Sequence, residues 1–233
     1  MATVLAVTFP VFFIALIGYL YARAFKFDMA SSGQLNLDVF VPALMVYSLS
    51  EKLPDLGDVG PVVILGAAIV FGSGLLGWLV AKGLGFNTRM LMPPLMFNNS
   101  GNLGLPLALF AFGEAGMPWA VALFVITTLL HFTLGLLLLE GRLQPLLLLK
   151  NPVAMAMLAG LVMYFLDWHF PAMLLNAIKL MADVAIPLML VSLGFYLSRA
   201  NLDDLKVGFL GAILTPATGI ISVLIGMQFV DLT

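Results

Sequence analysis

The chain has no cysteine, few charged residues (9%), and no strand-length segments in which apolar and polar side chains alternate. Without thiols, disulfides and thiolate chemistry are excluded, and the redox compartment stays open. So small a charged fraction rules out a soluble globular domain, and a formal net charge of −2 is too weak to argue for nucleic acid or an acidic partner. Without alternation, a membrane-spanning barrel is excluded. What is present is 62% hydrophobic residues and a mean hydropathy of +1.12, the composition of a chain whose solvent is lipid. In that solvent the backbone must satisfy itself, so the apolar runs are read as helices.

Apolar runs between charged or Gly/Pro-rich breaks give eight spans, at roughly 3–22, 34–50, 61–82, 90–112, 118–139, 152–168, 177–198 and 207–230. Each is near the roughly 20 residues that a bilayer core requires. Arg23, Lys26, Lys82, Arg89, Arg142, Lys150, Arg199 and Lys206 follow the odd-numbered spans, and Lys52 is the one basic residue outside the spans in the opposite loops. Those opposite loops carry Glu51, Asp55, Asp58, Glu114, Asp167 and Asp231. By the positive-inside rule the amino terminus is outside, in a plasma or bacterial inner membrane. The first span has its positive charges after it, so it reads as a retained helix and not a cleaved signal.

Residues Asp38-Val39-Phe40-Val41-Pro42-Ala43-Leu44-Met45-Val46 return 145 positions later as Asp183-Val184-Ala185-Ile186-Pro187-Leu188-Met189-Leu190-Val191. At the same offset Leu65-Gly66-Ala67 matches Leu210-Gly211-Ala212, and Ser73-Gly74 matches Thr218-Gly219. The offset equals five crossings, an odd number, so the second copy is expected upside down in the bilayer, as in many secondary transporters. The expected fold is an all-α polytopic membrane protein built as an inverted 5+5 helix repeat. Residues 1–145 form the first repeat and 146–233 an incomplete second one. The second copy stops at Thr233, where the partner of span four would begin, so the sequence reads as truncated to eight transmembrane helices.

Span four holds the densest polar cluster of any hydrophobic stretch: Asn98, Asn99, Ser100, Gly101, Asn102, Gly104 and Pro106, preceded by Pro93 and Pro94. Proline removes an amide donor and glycine frees the backbone, so a helix break near the middle of the bilayer is expected. The freed groups each cost several kcal/mol, roughly, in bare hydrocarbon, so such a break belongs in a cavity. The helix resuming after it would aim its amide dipoles at the gap and favour an anion, with the asparagines as neutral donors. The competing reading is a helix that packs through small and polar residues.

The stretch Asn98–Pro106, the following Phe112-Gly113-Glu114-Ala115-Gly116, the Asn151-Pro152 opening span six, and Ile186-Pro187-Leu188 with Leu193-Gly194 resemble the auxin efflux carrier family over essentially the whole chain. That family includes bacterial permeases for malate, malonate and similar acids. The resemblance implies two inverted bundles of five helices whose fourth and ninth helices are broken and cross at the substrate site. This chain departs from the pattern in lacking helices nine and ten.

Asp183 and Lys179, four apart, are spaced to pair on one helical face. Two readings stand: helix-end caps or interfacial anchors, as for the equivalent Asp38, or a coupling site for a proton or cation. His131, near Thr127, Thr128 and Thr133, is either a proton-coupling group or an ordinary interhelical hydrogen-bonding residue. Pro42 and Pro187 are expected to break their helices. Trp119, Trp168 and His169 read as interfacial, and the fourteen methionines as apolar filler. No metal-ligand spacing, phosphate loop or placed nucleophile is found, so neither enzyme chemistry nor a cofactor is implied.

The expected function is a secondary transporter of a small organic anion by alternating access, with lipid, a proton or sodium as coupling ion, and a homodimer as expected partners. The alternatives are a cation/proton exchanger or sodium-coupled symporter of related fold, and a non-transporting membrane sensor or scaffold. The exchanger needs acidic ligands in its broken helix, where this sequence places amides and a hydroxyl.

Overall fold

A computed structural model describes residues 2–25, 29–135, 137–138, 150–200 and 205–230. Lys26, Arg142, Asp231, the expected repeat boundary at 145/146 and the side chains of Arg89 and Lys206 lie outside the described residues. Apart from turns, the described residues are helical, with no strand among them. The helices are α1 (Ala2–Ala24), α2 (Met29–Leu35), α3 (Val41–Glu51), α4 (Leu56–Leu84), α5 (Thr88–Met96), α6 (Leu105–Phe112), α7 (Met117–Leu130), α8 (Pro152–Phe165), α9 (Ala172–Ser198) and α10 (Leu205–Gly226).

Among the described residues, five helical stretches are long and apolar enough to cross a membrane: Val4–Ala24, Gly57–Leu84, Met117–Gly135, Ala172–Ser198 and Gly208–Gly226. The other three expected spans take different forms. Span two is one helical run from Met29 to Glu51, diluted by Asn36, Asp38 and Glu51. Span four is divided into α5 and α6, and span six is the short helix Pro152–Phe165.

Wide π turns occupy Asn36–Phe40, Ser100–Gly104 and His131–Gly135. The first two end two residues before a proline, Pro42 and Pro106. A proline ring presses on the carbonyl four residues back, and a wider turn swings that carbonyl clear. Pro42 therefore widens its helix without cutting it. The expected break at Pro187 is corrected: α9 runs through it without interruption, anchored by buried Ala182, Ala185, Ile186, Met189 and Leu190 on both sides of the proline.

The described residues fall into two compact units. The first comprises the described parts of Met1–Leu53, Asn99–Val121 and Leu148–Ala200. Its core is α9 with α1 packed along it and α3 against it, and α8 packs on α3. Val41, Leu44, Met45, Ser48 and Leu49 of α3 recur at helical spacing and are all buried. Lipid offers helices no hydrophobic incentive to associate, so close approach through small residues matters more. Gly18 and Gly194 supply it: a Cβ on Gly18 would strike the Val191 carbonyl, and one on Gly194 the Ala15 carbonyl, so α1 and α9 meet backbone to backbone. On the far side of α1, Val4, Leu5, Phe9 and Phe12 are exposed, as a lipid-facing surface requires.

The second unit comprises the described parts of Pro54–Asn98, Ala122–Leu147 and Asn201–Thr233. Here α4 packs on both α5 and α10. Gly72 meets Ser222, and Gly74 and Gly77 receive Met96 and Leu95 of α5.

Candidate functional site

The interruption of span four is three residues long, Phe97 to Asn99, between the end of α5 at Met96 and the wide turn that starts at Ser100. Asn99 leaves the helical conformation (φ −77°, ψ 62°), and its side chain caps the resuming helix by accepting the Asn102 amide at 3.1 Å. The Asn99 carbonyl accepts the Leu103 and Gly104 amides at 3.3 and 3.1 Å, and Leu105 donates to Ser100. Pro106 has no amide to give. Side-chain capping, the wide turn and the proline thus start a new helix inside an apolar span, and Asn99 itself takes the amides of Asn102, Leu103 and Gly104.

Asn98 and Asn99 are exposed, Ser100 to Gly104 half-buried, and Leu105 and Pro106 buried. The packing division falls between Asn98, in the second unit, and Asn99, in the first. Within the first unit the Ser100–Gly104 turn packs against α9, and so does the Asn36–Phe40 turn. The buried Asn36 side chain donates to the Ala185 carbonyl at 3.4 Å. Two wide turns and the Pro187 segment therefore share one helix, α9.

Lys179 and Asp183 of α9 do pair, at 3.0 Å. The expectation that Asp183 and Asp38 sit at helix ends is corrected: both helices begin about a turn earlier than their apolar runs suggest. Asp183 lies well inside Ala172–Ser198, and Asp38 well inside the Met29–Glu51 run, where both its oxygens accept from Gln34 at 2.8 Å. His131 belongs to the second unit. It opens a wide turn and places its ring 4.6 Å from that of Phe97, while Thr127 and Thr133 spend their hydroxyls on carbonyls of their own helix.

Two residues with a larger part than their sequence suggested are Lys52 and Glu114. Lys52 caps the end of α3, Glu114 follows α6, and they form an ion pair of 2.7 Å in the first unit. They are separated by 62 positions, and no local pattern joins them. The one signal was that both fall in loops assigned to the same membrane face.

Helices long and apolar enough to cross a membrane, with one expected span interrupted and restarted at a capped turn, mark an integral membrane protein. The chain belongs to the membrane transport protein family (Mem_trans), that of the auxin efflux carriers, whose model it matches over residues 3–149. It is thus a membrane transporter. No curated protein matches the chain.

Proposed function

We propose that the protein is a secondary transporter that moves a small organic anion, a carboxylate of the malate or malonate type, by alternating access around the interruption of span four. The observation that carries this reading is the helix start at Asn99–Gly104. It places the positive dipole end of a helix beside the Asn98, Asn99 and Asn102 side chains, and residues 97–106 contain no acidic side chain that would suit a cation instead. Asn98, Asn99, Ser100 and Asn102 hold the carboxylate, while Gly101, Gly104 and Pro106 shape the wide turn that presents them. Counterflow in proteoliposomes with labelled malate, malonate, lactate and an indole acid tests it. Exchange of at least one of these is expected, and failure on every carboxylate ends the proposal.

The inverted-repeat architecture belongs to the same proposal. In its favour, the offset of 145 matches span two to span seven and span three to span eight, and the same offset carries span one onto span six. The packing of α1 on α9 then has its counterpart in that of α8 on α3. The pairing of α4 with α10 maps onto itself under the same operation. The sorting of basic residues by alternate loops supports an outside amino terminus in a plasma or inner membrane. Asp183, paired with Lys179 beside Pro187, is the group we assign to a coupling proton. Uptake by Asp183→Asn with unchanged rate and pH dependence would remove that role.

A further inference from the structure

The first unit contains a cavity of about 160 Å³, bounded by α1, α3, α6 and α9 and lined in part by Tyr47, Lys52, Glu114 and Asp183. We infer that this cavity is a second ligand site, for a small monocarboxylate with a short apolar body. Lys52 is its cation, and Glu114 is a built-in carboxylate that the ligand displaces.

The charges are unequal in their hydration. The Lys52 side chain is 28% exposed and Glu114 is 73% exposed. Lys52, the drier of the two, must keep a counter-charge, whereas Glu114 is already mostly in water and loses little by turning away. Exchanging one carboxylate for another at the Lys52 ammonium leaves the local charge unchanged. That ammonium also lies 5.1 Å from the centroid of the Tyr47 ring, which fixes its direction without neutralising it. Ile14, Leu44, Ile186 and Leu190 supply an aliphatic stretch of wall that suits the ligand's body. A cationic ligand is disfavoured. It would have to take Asp183 from Lys179, one turn away on the same helix at 3.0 Å, or Glu114 from Lys52, leaving a half-dry ammonium without a partner.

The test is titration of butanoate, n-butylammonium and n-butanol into the full chain in nanodiscs of neutral lipid, read by saturation-transfer NMR. Butanoate is expected to bind and the other two are not. Lys52→Met should weaken butanoate by roughly tenfold or more, the loss of one charge-assisted hydrogen bond, and Lys52→Arg should recover most of it. Glu114→Gln should bind butanoate several-fold more tightly, because the competing carboxylate is gone. Absence of butanoate binding, equal affinity of Glu114→Gln and wild type, retained affinity in Lys52→Met, or comparable butylammonium binding overturns the site. Loss of binding in Asn102→Ala but not in Lys52→Met moves the ligand to the span-four interruption and overturns only this inference. Lys52-dependent binding without counterflow of any carboxylate overturns the transport reading and leaves this one standing.

Discussion

At the scale of single residues, the polar groups at the end of α3 and in the α8–α9 connection form a small network. His169 places Nδ1 3.2 Å from Glu51 and Nε2 3.3 Å from Asp167. The hydrogen bond to Glu51, then that to Asp167, holds its imidazolium above the usual histidine range. A raised folded pKa gives stability that is complete below the unfolded value, about 6.5, and lost as pH rises through the folded value. The difference in melting temperature between wild type and His169→Gln should therefore be largest in mild acid and shrink toward zero at alkaline pH. A pH-independent difference would refute the linkage. Asn151 gives a second residue-scale prediction. Its side chain accepts the Val153 and Ala154 amides at 2.9 and 3.1 Å, so Asn151→Ala should cost about 1 kcal/mol in denaturant unfolding. The sequence marked the place, as the Asn-Pro that opens span six, but the cap itself emerges from the structure. The Lys52–Glu114 pair was not, because an ion pair between distant segments leaves no periodic trace.

At the scale of elements, the apolar runs located most of the helices, and the Pro, Gly and Asn residues of span four marked its interruption at Phe97–Asn99. Helix starts were less legible. Met29–Leu35 carries Ser31, Ser32 and Gln34, which dilute hydropathy without weakening a helix packed against α9. The wide turns were illegible in kind, since proline signals disturbance but not its form: Pro42 widens, Pro187 is absorbed, and Pro106 follows a full interruption. Pro106→Ala restores an amide and should let the Ser100–Gly104 turn tighten, which predicts slower carboxylate counterflow at unchanged protein level. Unaltered flux would separate the wide turn from transport. Gly194→Val drives a side chain into the α1 backbone, and overpacking of this kind costs roughly 1–3 kcal/mol. A marked fall in thermal stability of the purified protein is the expected result.

At the scale of the whole molecule, the proposed transport of a net anion has an electrical signature. Each charge moved outward along an inside-negative potential gains about 2.3 kcal/mol per 100 mV. In proteoliposomes of known orientation, monoanion export should speed up as the interior is made more negative. An electroneutral response would instead indicate one co-transported cation per anion. The first packing unit also draws on three separated stretches of sequence, and this shapes how the protein is made. At roughly 5–20 residues per second, α1 leaves the ribosome on the order of ten seconds before α9 exists. α1 meets that wait as a helix with no charge before Arg23, whereas the Met29–Glu51 helix carries Asn36 and Asp38 into lipid with α8 and α9 still unmade. That helix packs on partners made later, so separately expressed fragments 1–147 and 148–233 should recover each other from the same membrane.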